Sequence, residues 1–63
     1  MGRLYKGLWR VLIIYDTDTG EEYAYTEPDV YEECEKRCIL HGMGVPFEGN
    51  RVKRALIVGP ILL

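Results

Sequence analysis

From Leu8 to Asp16 almost every position is apolar, with Val, Ile and aromatic residues dominating. The stretch reads as a strand. Trp9, Val11, Ile13 and Tyr15 point one way, and Leu8, Arg10, Leu12 and Ile14 the other. Both sides are largely apolar, which predicts a central strand with at least one face fully covered. Asp16-Thr17-Asp18-Thr19-Gly20 then reads as a hairpin turn, with Gly20 free to adopt positive φ. Glu21 to Thr26 alternates as a second strand. Tyr23 and Tyr25 share one face, and Glu22, Ala24 and Thr26 the other. This strand is polar enough to be an edge.

The period then changes. Thr26-Glu27-Pro28-Asp29 carries the marks of a helix start: a capping hydroxyl, an acid three residues on, and Pro in the first turn. Val30, Tyr31, Cys34, Cys38 and His41 fall on one face at helical spacing. Gly42 is the expected terminator, with Gly44 and Pro46 barring continuation. Met43 to Asn50 reads as loop. Arg51 to Val58 is a third strand, followed by Gly59-Pro60 and an apolar tail, Ile61-Leu62-Leu63. In that strand Lys53, Ala55 and Ile57 are expected on one face; Val52, Arg54, Leu56 and Val58 are expected on the other.

The predicted architecture is α+β, in the order β-β-α-β. A right-handed crossover through the helix leaves the third strand parallel to the second. The sheet order is then 2-1-3, with the most apolar strand in the middle and the helix on one face. The other face has no second layer in this chain, so a partner or a second copy is expected to cover it.

Length sharpens that expectation. Sixty-three residues make one small domain, 1–63. A chain of this size buries only about 60% of its unfolded surface and usually leans on something further. A hydrophobic content of 48% argues against disorder. No apolar run reaches the roughly 18 residues of a membrane span, and no signal-peptide pattern is present. The expected compartment is the cytoplasm, or the host cytoplasm if the source is viral, with reduced thiols.

Charge adds a partner argument. Nine of the ten carboxylates lie between Asp16 and Glu35, and no Lys or Arg interrupts them. The net charge of −2 conceals a basic start, an acidic middle and a basic end. Asp16, Asp18, Glu27 and Asp29 are accounted for by the turn and the helix start. Glu22, Glu32, Glu33 and Glu35 are not, and they lie beside Tyr23, Tyr25 and Tyr31. An acidic surface bearing tyrosines suits a basic partner: charge sets association rate and selectivity, and tyrosine supplies buried contact.

Other chemistry finds little footing. Cys34, Cys38 and His41 offer three ligands where structural zinc takes four, so core packing is the better reading. His41 has no obvious catalytic partner, and the chain lacks serine. The Asp-rich turn is too compressed for a calcium loop. The glycines do not lie between a strand and a helix as a phosphate loop requires. Arg10, Arg51, Lys53 and Arg54 form a candidate nucleic-acid strip, disfavoured by a pI near 5.2. No catalytic residue, metal or cofactor is expected.

Three segments together carry a resemblance. They are the aromatic strand Trp9 to Tyr15, the passage Ala24-Tyr25-Thr26-Glu27-Pro28-Asp29 into an acidic helix, and the closing Val52-Lys53-Arg54. This outline resembles the small RNA polymerase inhibitor of T7-like bacteriophages. Here the helix has cysteines where that family has a run of alanines, and the tail is apolar. The resemblance implies the class of small phage host-takeover proteins, which includes anti-CRISPR and other anti-defence proteins. It implies a partner-binding role for Arg54.

The expectation is a non-catalytic inhibitor of a host nucleic-acid-processing or defence complex. It would bind through Glu22, Tyr23, Tyr25, Tyr31, Glu32, Glu33, Glu35 and Arg54. One alternative is a homo-oligomer assembled through the open sheet face and the apolar tail. The other is a nucleic-acid binder using the final strand.

Overall fold

A computed structural model describes residues 6–61. Arg3, in the basic start, and Leu62 and Leu63, in the predicted tail, lie outside the described residues. The elements are β1 (Leu8–Thr17), β2 (Gly20–Tyr25), α1 (Tyr31–Gly42) and β3 (Val52–Ile61). They form one sheet of order β2-β1-β3, with β1 antiparallel to both neighbours. The predicted α+β architecture, with the most apolar strand central, is the one the chain adopts.

α1 packs against β1 and β3. Val11, Ile13 and Cys34 are fully buried, and Trp9, Tyr15, Cys38, Phe47, Val52, Ala55 and Ile57 pack around them. Burying such side chains contributes roughly 1.5–3 kcal/mol each. With so few fully enclosed, the core is small.

The helix starts later than the sequence predicts. Thr26 does not cap it. Its N–H donates to the Val11 carbonyl at 2.9 Å, and its Oγ1 accepts the Val11 N–H at 2.9 Å. Asp29 exchanges backbone hydrogen bonds with Trp9 at 2.7 and 2.8 Å. The 26–29 segment therefore continues alongside β1, and pairing with a central strand outweighs local capping. Val30 is the N-cap, without a side-chain cap bond. Asp29 still serves the helix: it accepts the Val30 N–H at 2.8 Å and pairs with Arg37 at 2.9 Å.

The helix also runs through Gly42, the predicted terminator. Reversal comes at Gly44, φ 106°, after Met43, Gly44 and Val45 donate back to the carbonyls of Ile39, Leu40 and His41. A tight turn follows, with Phe47 and Asn50 bonded both ways at 2.8 and 2.9 Å. Its central residues, Glu48 and Gly49, both have positive φ. The turn leaves Phe47 against Tyr15, ring centroids 5.5 Å apart.

β3 departs from the predicted alternation twice. Ile14 pairs with Arg54 but Tyr15 pairs with Val52, so Lys53 is an extra, bulged residue. The bulge turns Val52 onto the helix side with Ala55 and Ile57, and frees Lys53 from that side. A second irregularity lies opposite Trp9, where β3 passes through Gly59-Pro60 instead of stopping at Val58. An edge strand tolerates the missing proline N–H. Gly59, φ 148°, leaves room for Trp9: a Cβ there would lie 2.7 Å from Cε3 and 3.3 Å from Cα of that residue.

Candidate functional site

Register decides what each sheet face carries. Val11 and Ile13 face the helix, so Arg10, Leu12 and Ile14 face away. Leu12 stands between Tyr25 and Leu56, and Ile14 between Tyr23 and Arg54. Arg10 lies beside Val58. The open face is therefore an apolar field. Tyr23 is 67% exposed and Tyr25 51%. Their rings meet edge to face, centroids 6.1 Å apart and planes at 85°. Leu12, Ile14, Glu21, Glu22, Tyr23 and Tyr25 line a shallow hollow of about 260 Å³. Small-molecule sites usually span about 300–1,000 Å³ and enclose most of their ligand. This open hollow is better shaped for a protein surface.

A band of ion pairs closes the field at the hairpin end. Lys53 Nζ reaches across β1 to Glu21 at 2.7 Å, and Arg51 meets Asp16 at 2.8 Å. The hydrogen bond to Glu21, with the charges of Glu21 and Asp16, raises the Lys53 pKa above its ordinary value. The Lys53 bulge makes this possible, because regular alternation would point Lys53 toward the helix side.

The predicted site residues do not share one surface. Tyr23, Tyr25 and Arg54 meet on the open face. Glu22 borders the hollow, but it pairs with Tyr15, which packs on the core, so its side chain alternates away from Tyr23 and Tyr25. Burial first, then the charges of Glu22 and Glu48, raise the Tyr15 pKa. Tyr31 is half-buried, edge-on to Trp9 at 5.1 Å and 81°. Glu32, Glu33 and Glu35 belong to α1, beyond the sheet from Tyr23 and Tyr25. The sheet thus separates the helix carboxylates from the tyrosine pair.

Folding also interleaves the charge blocks. Among the described residues Asp16, Glu21, Asp29 and Glu33 pair with Arg51, Lys53, Arg37 and Lys36. The same pairs hold Arg51 and Lys53, two members of the candidate nucleic-acid strip.

Cys34 and Cys38 point into the core, where burial raises both thiol pKa values. For Cys34, burial outweighs the opposing pull of the Arg37 guanidinium. His41 Nδ1 lies 2.7 Å from the Val45 carbonyl and so helps close the helix end. Among the described residues no three His, Cys, Asp or Glu side chains gather as metal ligands, and no helix is long and apolar enough to cross a membrane.

Two groups escaped the sequence-derived site. Leu12, Ile14 and Leu56 form the floor of the open face, and the two-sided apolarity of β1 was their signal. Ile39, Leu40, Met43 and Val45 leave a second exposed apolar group at the end of α1, without an aromatic anchor. The chain matches no family model, no curated protein and no solved structure.

Proposed function

We propose that this chain is a non-catalytic interaction protein that docks through the open face of its sheet. The observation that supports this most is the exposed Tyr23–Tyr25 pair, standing on Leu12, Ile14 and Leu56 with none of the described elements above it. Large aromatic side chains on an apolar floor, rimmed by charge, have the make-up of a binding hot spot. Arg54 and the Glu21–Lys53 pair form part of that rim and give it both signs of charge. The phage resemblance suggests the class of partner: a host nucleic-acid-processing or defence complex, bound and disabled by occupation.

The test is capture from bacterial lysate with three forms of the chain. Wild type and Glu32→Lys/Glu33→Lys are expected to retain the same partner, and Tyr23→Ala/Tyr25→Ala to lose it. Loss in the helix variant with retention in the tyrosine variant would move the site to the acidic helix and defeat the reading.

A further inference from the structure

We infer that in the free protein the open face is closed by a second copy of this chain, in a two-fold dimer that must open before another partner can dock. The inference rests on the docking reading above and names what covers the face when no partner does.

The face is self-complementary in a particular direction. Its β2 margin carries Tyr23, Tyr25 and Glu21; its β3 margin carries Arg54, Leu56 and Lys53. Aromatic rings and a carboxylate thus lie on one side of β1; a guanidinium, an aliphatic side chain and the Lys53 ammonium, itself bonded to that carboxylate, lie on the other. A two-fold contact repeats every interaction in both directions. Two axes within the plane between stacked sheets are simple. An axis across the strands lays each margin over its own copy, tyrosine over tyrosine and Arg54 toward Arg54, so like charges approach. An axis along β1 lays β2 of one copy over β3 of the other. Leu12 and Ile14 then meet their own copies, as does Arg10 at the end away from the hairpin, Tyr25 covers Leu56, and Tyr23 covers Arg54 with Glu21 close by. That arrangement places a cation on a tyrosine face and opposite charges together at both margins, against a single like-charge approach at Arg10. Aligned sheets stack about 10 Å apart with interdigitating side chains, a spacing these side chains fill.

The area sets the strength. Three strands at about 4.8 Å spacing, over about five residues each, give a footprint well under the ~800 Å² per partner of a standard interface. The dimer is therefore weak and exchanging, which suits a cover that has to come off.

Sedimentation equilibrium from about 10 µM to 1 mM, the range of a contact of this size, tests it. Wild type is expected to shift from monomer to dimer, and no further. Glu21→Arg and Arg54→Glu, both at exposed positions, are each expected to weaken association by about tenfold or more. An equimolar mixture of the two is expected to restore it, because the guanidinium introduced by Glu21→Arg in one copy then faces the carboxylate introduced by Arg54→Glu in the other. Circular dichroism checks that both variants fold. Wild type monomeric throughout overturns the dimer; if Tyr23→Ala/Tyr25→Ala still abolishes lysate capture, the docking reading stands alone. A dimer indifferent to both substitutions, or a mixture no stronger than its components, overturns this interface.

Discussion

Ile13 and Ile14 are adjacent and chemically identical, yet the fold gives them opposite surroundings. Ile13 is fully buried between Ala24 and Ala55, under Cys34 of the helix. Ile14 lies between Tyr23 and Arg54 on a face that none of the described elements covers. One face of the sheet holds the chain together. The other leaves apolar surface whose burial remains available for association. The comparison shows how a short chain divides its apolar residues between stability and binding.

The sharpest break in that comparison is truncation at the two neighbours. Ile13→Ala leaves a cavity in an enclosed core and is expected to cost about 2–5 kcal/mol. In so small a domain that removes most of the folding stability. Ile14→Ala is expected to cost under about 1 kcal/mol when the protein is dilute, because its site is already open. Urea unfolding of both variants at low concentration measures the difference. Equal losses would mean that something covers both faces in the dilute protein.

The covered face can also be tested from the backbone of β3. Gly59→Ala would place a methyl group 2.7 Å from the Trp9 ring and 3.3 Å from its Cα, at a φ that L-residues avoid. The expected loss is about 1–3 kcal/mol, with Trp9 fluorescence altered in the folded state. A fluorescence spectrum and stability matching wild type would show that Trp9 moves aside freely.

How these faces were legible follows from the range of the interactions that set them. The alternation along β1 is local, so the strand, its central place and its two apolar sides could be read directly. The helix start could not. Thr26 and Asp29 have suitable capping side chains, but Val11 and Trp9, distant in sequence, engage them first. The Lys53 bulge was likewise invisible: one extra residue moves Val52 to the core and Lys53 to Glu21, and alternation alone predicts the reverse. The eight predicted site residues divide for the same reason. The nearness in sequence of seven of them, between Glu22 and Glu35, says nothing of the sheet that comes between them. Tyr23, Tyr25 and Arg54 come together through strand register, with Glu22 at the border of the hollow and its side chain alternating away, whereas Tyr31 and the helix carboxylates do not join them.

A smaller effect separates the faces by pH. Burial keeps the thiols of Cys34 and Cys38 protonated to higher pH than in the unfolded chain, where a thiol titrates near 8.5. The folded pKa values are raised, so this contribution is complete below the unfolded value and lost as pH rises through the folded one. Tyr15 and Lys53, raised above their ordinary 10.0 and 10.5, act in the same sense further up. The urea midpoint is expected to hold at neutral pH and to fall progressively above about pH 8.5. Cys34→Ala should reduce the first part of that fall. A midpoint unchanged into strongly alkaline solution would mean that the thiols ionise as readily in the folded chain as in the unfolded one.

The smallest expected effect sits on the open face. Glu21→Gln removes the charge that Lys53 reaches across β1 to meet, at a pair where both side chains are about half exposed. Exposed pairs of this kind contribute roughly 0.2–1 kcal/mol, and salt screens them. Unfolding of dilute protein should therefore register a loss within that range, shrinking further in high salt. The Lys53 pKa, followed by NMR of its side chain, should fall back toward its ordinary value, since the bond to Glu21 is the first cause of its rise. Association should suffer more than folding, because the same carboxylate lies at the margin inferred to meet Arg54 of a second copy. If dilute stability fell as far as in Ile13→Ala, the Glu21–Lys53 bridge would belong with the core, and the division between a holding face and a docking face would fail at its hairpin end.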